Sequence, residues 1–145
     1  MKAVLQRVSG ASVAVDGEII SSIGRGYVVL LGVGESDTKE HADKMADKIQ
    51  KLRIFPDENG KTNLSIEDID GEILIISQFT LYADCKKGHR PSFANAGSPA
   101  LAKELYEYFI KISESKFRKA GHGVFGASMQ VSLVNDGPFT VVLEL

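Results

Sequence analysis

Most of the chain carries apolar and polar residues in the patterns typical of β-strands. Residues 2–8 and 11–15 are extended and β-branched, and Asp16-Gly17 predicts a tight hairpin that returns through residues 18–23. The unbroken apolar run at residues 27–31 predicts a strand covered on both faces. Residues 127–134 and 139–145 predict two closing strands joined by a turn.

Two other segments repeat their apolar residues at helical spacing. The first is predicted to begin at Asp37, with Glu40 three residues later in a capping-box arrangement. Its apolar stripe is Ala42, Met45, Ala46, Ile49 and Leu52. The second begins at Ser98-Pro99, a cap followed by proline at the first helical position. Its stripe is Leu101, Leu105, Tyr108, Phe109 and Ile112.

Hairpins outnumber helices, and the strands do not alternate regularly with helices, which argues against a doubly wound parallel sheet. We therefore expect an α+β fold, with a mostly antiparallel, curved or barrel-like sheet and two helices packed on it. At 145 residues the chain predicts one domain spanning residues 1–145.

Composition and charge limit the partners that the chain can have. A net charge of -2 argues against a broad surface that coats duplex nucleic acid, but it allows a local basic patch that holds a short single-stranded end. No apolar run approaches the ~18–20 residues that cross a bilayer, so no membrane association is expected. The lone Cys85 excludes an internal disulfide framework and predicts a reducing, cytoplasmic location.

The strand predicted from residue 74 onward ends in polar residues where a core strand would carry more Val and Ile. On strand geometry Gln78 and Thr80 share one face. The other face carries Ser77, Phe79 and Leu81. Buried polar groups without partners cost about 1–3 kcal/mol each. Either the protein's own backbone or a ligand must bind them.

A basic loop follows this strand directly, with Lys86, Lys87, His89 and Arg90 within five positions. It is either a solvated surface loop or a phosphate clamp beside a pocket. The group Lys116, Arg118 and Lys119 has a structural interpretation, because cations are favoured at helix C-termini.

Several kinds of chemistry find no support in the residues. The three histidines have no metal-ligand spacing, and no glycine-rich phosphate loop precedes a helix, so neither metal nor cofactor is expected. Ser77 or Thr80 would need an adjacent base to act as a nucleophile, and none is recognisable. Hydrogen-bond donors that fix a substrate ester suit this stretch better.

Two short motifs together resemble the paired signatures of D-aminoacyl-tRNA deacylases. They are Ser77-Gln78-Phe79-Thr80-Leu81 and Asn135-x-Gly137-Pro138-x-Thr140. Similarity extends to Gln6-Arg7-Val8, to Val13-x-Val15-x-Gly17 and to residues 123–129, and so covers essentially the whole chain. The resemblance implies hydrolysis of the ester between a D-amino acid, or mischarged glycine, and the 3′-terminal ribose of tRNA. It also implies a homodimer with active sites at the subunit interface.

The resemblance assigns roles to particular residues. Gly137-Pro138 would be a Gly-cisPro pair inserted into the partner's pocket, where its carbonyls engage the substrate amino group and exclude an L side chain. Ser77, Gln78 and Phe79 would hold the adenosine and the ester, with backbone amides as oxyanion donors. Phe125 and Met129 would be pocket walls. Independently of the resemblance, Lys86, Lys87 and Arg90 would hold phosphates of the RNA end if the basic loop is a clamp.

The sequence leaves two mechanisms open, and it also leaves alternative functions open. Either Thr80 is a nucleophile, or the terminal 2′-hydroxyl of the tRNA assists attack by water while the protein positions the ester. We favour the second, because Thr80 has no obvious base. The alternative functions are a non-catalytic binder of the tRNA 3′ end and a small-metabolite binding protein.

Overall fold

One long strand organises the sheet. The structure is a computed structural model that describes residues 1–145. Strand β1 (Lys2–Val15) pairs antiparallel with β2 (Glu18–Ile23), β3 (Gly26–Gly32) and β8 (Gln130–Glu144). The β8 strand follows one edge of β1 along nearly its whole length, so β2 and β3 share the other edge. The predicted hairpin turn joins β1 to β2 and has φ values of 51° at Asp16 and 84° at Gly17.

The remaining strands extend the sheet in parallel. Strand β6 (Glu72–Ser77) pairs with β3, and β7 (Ala120–His122) pairs with β6. The Nζ of Lys119 donates to the Ser22 carbonyl at 2.6 Å, so β7 approaches the β2 arm and the sheet curls toward closure. A separate two-stranded sheet contains β4 (Phe55–Pro56) and β5 (Thr62–Leu64). The predicted α+β class with a curved, barrel-like sheet is confirmed, with a parallel portion beside the antiparallel one.

Two helices cover one face of the sheet, α1 (Lys39–Lys51) and α2 (Pro99–Lys116). A salt bridge joins the two helices, with Lys116 Nζ of α2 lying 2.6 Å from Asp47 Oδ1 of α1. Their buried residues share a core with Leu5, Tyr27 and Ile75 of the sheet. Neither helix is both long and apolar enough to span a membrane.

The cap of α2 is as predicted, and the cap of α1 is not. The Ser98 hydroxyl accepts from the Leu101 amide at 3.3 Å. In α1 the N-cap is Thr38, whose backbone N–H donates to His41 Nδ1 at 3.1 Å. Asp37 is instead buried, because its carboxylate accepts from the Met1 ammonium and from the Gly34 amide, each at 2.6 Å.

The predicted turn between two closing strands is wrong, since both segments belong to one strand, β8. Gln6 of β1 pairs with Thr140, and Val8 pairs with Asn135, so residues 136–139 have no partner on β1. These residues leave the ladder as a bulge, which disrupts the pairing locally while the strand continues. The Asp136-Gly137 sequence, which predicts a turn, therefore forms a bulge instead, and this bulge exposes Gly137 and Pro138 at the surface.

The polar end of the strand at residues 77–82 also differs from the prediction. Strand β6 stops at Ser77, and a short 3₁₀-helix follows (Phe79–Tyr82). Gln78 and Thr80 therefore do not share a strand face, because Gln78 is the N-cap of the 3₁₀-helix and Thr80 lies in its first turn. This turn leads the chain out of the sheet and into the basic loop.

Candidate active site

A cavity of about 710 Å³ opens where β6 ends. Its walls are the turn after β6, the segment around residues 93–97, the first turn of α2 and the segment leading into β8. Pockets for small ligands fall in the range of ~300–1,000 Å³ and are mostly apolar with a few polar groups. This cavity matches that description, because Phe79, Phe125 and Met129 line it together with Ser77 and Gln78.

These five wall residues are all positions predicted as site residues, and the structure brings them together. Thr80 lies next to the cavity rather than on its wall. Gly137, Pro138, Lys86, Lys87 and Arg90 are not on the wall within this chain.

Thr80 has an amide, not a base, as its side-chain partner. The Nε2 of Gln78 donates to the Thr80 hydroxyl oxygen. No imidazole or carboxylate forms a hydrogen bond with that hydroxyl. An amide N–H cannot accept a proton, so nothing in the chain raises the nucleophilicity of Thr80.

Two backbone N–H groups of the turn, those of Phe79 and Thr80, lie at the start of the 3₁₀-helix, where a helix provides no acceptor for them. The Gln78 amide donates to the Leu31 carbonyl at 2.8 Å, which extends the ladder between β3 and β6. The amides of Phe79 and Thr80, by contrast, have no acceptor among the chain's turns and loops. Adjacent unpaired N–H donors beside a cavity can stabilise negative charge that develops on a carbonyl oxygen.

Close packing against the end of β3 fixes this turn in place. A Cβ atom at Gly34 would lie 2.7 Å from the Tyr82 hydroxyl oxygen, and one at Gly32 would lie 3.0 Å from the Gln78 carbonyl. The Tyr82 hydroxyl is 3.4 Å from Asp37 Oδ2. Burial, with the nearby Asp37 carboxylate, raises the pKa of Tyr82, so the phenol stays protonated and remains a donor.

The cavity floor is held by Tyr106 of α2. Its hydroxyl lies 2.9 Å from the Ile75 carbonyl and 3.3 Å from the Gly123 carbonyl, and so joins β6 to the end of β7. Burial raises the pKa of Tyr106 to about 12. The ring packs at 5.9 Å from that of Phe125, so the helix supports the wall residue directly.

The bulge in β8 is anchored by Arg7. The guanidinium donates to the Asp136 carbonyl at 2.9 Å and to the Ile54 carbonyl at 2.5 Å, and it lies 4.8 Å from the Phe139 ring centroid. Arg7 is itself buried. Gly137 and Pro138 next to it are exposed, and the peptide bond between them is cis.

The basic loop is held in shape, but its cations have no partners. Backbone bonds between Asp84 and Ser92, at 2.8 and 2.9 Å, close the loop that carries Lys86, Lys87 and Arg90. None of these three side chains forms an ion pair. The group near the end of α2 differs, because Lys116, Arg118 and Lys119 contact Asp47, Asp70 and the Ser22 carbonyl respectively. That agrees with the structural role expected for them.

Sequence reasoning missed four residues that shape the site. Arg7 and Asp37 were recognised only as parts of a motif and a helix cap. Tyr106 falls just beside the apolar stripe assigned to α2. Phe93 lines the cavity, and a large aromatic residue in an otherwise polar loop is a signal that could have identified it.

Comparison with known proteins places the chain in a family. The family model described as D-Tyr-tRNA(Tyr) deacylase matches residues 4–144. A D-aminoacyl-tRNA deacylase of Thermosipho africanus is 55% identical over 144 residues, covering 99% of this chain and 97% of that protein. One of Lactobacillus gasseri is 53% identical over 145 residues, covering 100% of both.

Solved structures share the fold over the whole chain. One described as c-Myc DNA Unwinding Element Binding Protein has a TM-score of 0.95 at 46% identity, covering 100% of this chain and 99% of its own. A probable eukaryotic D-amino acid tRNA deacylase has a TM-score of 0.88 at 16% identity, covering 99% and 98%. At that identity it supports the fold alone. The resemblance carried by the two sequence motifs is confirmed, and the chain belongs to the D-Tyr-tRNA(Tyr) deacylase family, whose members are hydrolases.

Proposed function

We propose that this protein hydrolyses the ester between a D-amino acid and the 3′-terminal ribose of tRNA, and that it spares the L-aminoacyl ester. Membership of the family supports the reaction class. The observation that carries the proposal within the molecule is the pair of amides at Phe79 and Thr80, which open the 3₁₀-helix beside the cavity and have no acceptor within that helix.

The cavity is suited to the terminal adenosine and its ester. Aromatic and apolar walls from Phe79, Phe125 and Met129 would hold the base and the sugar, while Ser77 and Gln78 supply polar contacts. The ester carbonyl then points at the amides of Phe79 and Thr80. These donors are fixed before the reaction starts, so they stabilise the oxyanion of the tetrahedral intermediate without rearranging.

The attacking group is water, and the substrate assists it. The Thr80 hydroxyl accepts a hydrogen bond from the side-chain amide of Gln78, and that amide cannot take the hydroxyl proton. The 2′-hydroxyl adjacent to the ester is within reach of the incoming water and can relay its proton. The protein contributes position and polarisation, which account for large rate factors by themselves.

Enantiomer selection needs a second copy of the chain. Gly137 and Pro138 are exposed and lie outside the cavity of their own chain. Inserted into the cavity of a partner, their carbonyls would accept from the substrate amino group, and their main chain would occupy the space of an L side chain. Rejection by steric exclusion does not depend on which D side chain arrives. It also admits glycine, which has no side chain to exclude.

The surface of β8 supports such a homodimer. Leu133, Val134 and Val142 are exposed apolar residues on this outer strand, on either side of the bulge. Contact between two copies along this face would bury them together with the bulge. We infer active sites at the subunit interface, so a separated monomer is inactive.

One assay distinguishes this function from its rivals. D-tyrosyl-tRNA and L-tyrosyl-tRNA are incubated separately with the purified protein, and the release of each amino acid is followed. The deacylase cleaves the D form and leaves the L form intact. A non-catalytic binder of the tRNA 3′ end retains both esters, and a metabolite-binding protein does not interact with either RNA.

A further inference from the structure

Two aromatic rings lie exposed at the mouth of the cavity. Phe93 and Phe79 pack edge to face, with centroids 5.0 Å apart and planes at 62°. They are 36% and 54% exposed, although both line the cavity. An exposed pair of this kind gains little from burial within the chain, and its flat faces are available to a ligand.

Phe93 lies on the path between the cavity and the basic loop. It directly follows the Asp84–Ser92 closure that holds Lys86, Lys87 and Arg90. Backbone bonds fix the residues after it, from the Ala96 amide to the Phe93 carbonyl at 3.0 Å and from the Gly97 amide to the Val33 carbonyl at 2.9 Å. The ring is therefore presented from a supported backbone, next to cations that have no partner in the chain.

Unpaired cations beside an exposed aromatic ring are the combination that binds single-stranded nucleic acid. Cations follow the phosphates, and a base stacks on the ring whatever its identity. If the cavity takes the terminal nucleoside, a strand that leaves it on the side of Phe93 continues toward the basic loop, which closes at the neighbouring Ser92.

We propose that Phe93 stacks on the base of the penultimate nucleotide of tRNA, the one preceding the terminal adenosine. The proposal rests on the proposed function for its choice of RNA. It divides the 3′ end between three parts of the molecule: the cavity takes the terminal nucleoside, Phe93 takes the preceding base, and the basic loop takes phosphates further along.

A cycle of protein and RNA changes tests this contact without using catalysis. The probes are an uncharged RNA hairpin with a 3′ CCA end, the same hairpin with an abasic penultimate nucleotide, and one lacking the terminal adenosine. Each is titrated against the wild-type protein and against Phe93→Leu and Phe93→Tyr variants, and the dissociation constants are compared. Leucine keeps an apolar side chain but removes the ring, while tyrosine keeps the ring.

Stacking predicts that the two deletions are not additive. Loss of the penultimate base weakens binding to wild type about ten-fold. The Phe93→Leu change weakens binding of the intact hairpin by a similar factor, and on that variant the abasic change has almost no further effect. The Phe93→Tyr variant behaves as wild type. Loss of the terminal adenosine weakens wild type and Phe93→Leu equally.

Three outcomes overturn the proposal. Additive losses show that Phe93 and the penultimate base act independently, and unchanged affinity in Phe93→Leu shows that the ring contacts no base. If instead the effect of Phe93→Leu disappears when the terminal adenosine is missing, Phe93 contacts the terminal nucleoside and not the penultimate base. Failure of the proposed function is a separate result, because it appears as an absence of D-tyrosyl-tRNA hydrolysis by the wild type. The dissociation constants of the uncharged hairpins can still be measured and compared in that case.

Discussion

The side-chain amide of Gln78 donates a hydrogen bond to the hydroxyl of Thr80. This contact occupies a lone pair of the one hydroxyl that the turn after β6 offers as a nucleophile, and it provides no base. This contact favours the proposed mechanism, in which the turn acts through its backbone amides and its positioning of the ester rather than through covalent chemistry.

The proposed mechanism predicts that the hydroxyl of Thr80 is dispensable for the chemical step. We expect Thr80→Ala and Thr80→Val to keep the single-turnover rate of D-tyrosyl-tRNA hydrolysis within about ten-fold of wild type, since a missing nucleophile would cost far more. Valine is the matched variant because it preserves the shape of threonine. Mass spectrometry of quenched wild-type reactions should show no acyl-enzyme.

A modified substrate is the complementary control. A tRNA ending in 2′-deoxyadenosine should react at least about 100-fold more slowly with wild type, because general-base assistance contributes factors of that order. Abolished turnover in Thr80→Val with binding intact, together with an acyl adduct on wild type, would show Thr80 to be the nucleophile.

Rejection of L substrates should weaken when the bulge is made smaller. In Pro138→Ala the main chain keeps its carbonyls but loses the ring that limits the space beside them. We expect hydrolysis of L-tyrosyl-tRNA to rise about ten-fold relative to the D form, a factor typical of small changes in pocket volume. The control is Lys111→Ala, an exposed position on α2 away from the proposed subunit contact. An unchanged ratio of L to D rates in Pro138→Ala would exclude this bulge as the selective element.

The basic loop should act on affinity and its salt dependence. Replacing Lys86, Lys87 and Arg90 together with serine removes three cations that have no partner in the chain. The slope of log affinity for tRNA against log salt should fall by about 2, at ~0.7 per single-strand phosphate contact. Serine replacements of Lys103 and Lys111, exposed on α2, serve as the control and leave the slope unchanged. If the loop variant retains the wild-type slope, the loop is a solvated surface segment.

Asp37 should be important for stability. Its carboxylate is buried and accepts from the Met1 ammonium and the Gly34 amide. Asp37→Asn removes the carboxylate that pairs with the ammonium and leaves the ammonium only the Leu145 oxygen, and removal of one partner of a buried ion pair costs about 3 kcal/mol or more. Urea unfolding measures the loss. The control Glu107→Gln breaks an exposed i,i+4 pair with Lys103 and should change stability by about 0.5 kcal/mol or less. Equal changes in the free energy of unfolding in the two variants would show that the buried ion pair contributes no more to stability than the exposed one.

The fold class and the motif positions follow from local pattern, and the errors arise from long-range contacts. Asp37 looks like a helix cap, but an ammonium 36 positions away binds its carboxylate, and the cap moves to Thr38. The Asp136-Gly137 turn signal is genuine, yet pairing of β1 with both flanking segments of β8 keeps the strand continuous and turns the signal into a bulge.

The site shows the same division between local and tertiary information. Ser77, Gln78 and Thr80 were identified from sequence because polar groups at the end of an apolar strand are unusual, and the family motif added Phe79. Their actual geometry depends on close approach to Gly32 and Gly34, which no local pattern reveals. The composition of the loop marks Phe93 as unusual, but only the folded loop shows that its ring packs against Phe79.

The reaction of glycyl-tRNA tests the central claim of selection by exclusion most directly. Single-turnover rates are measured with wild-type protein on glycyl-, D-alanyl- and L-alanyl-tRNA that share one tRNA sequence. Exclusion of the L side chain predicts that the glycyl and D-alanyl esters react at similar rates, while the L-alanyl ester is spared. A glycyl ester as resistant as the L-alanyl ester would contradict this account, because it would show that the enzyme recognises a D side chain instead of rejecting an L one.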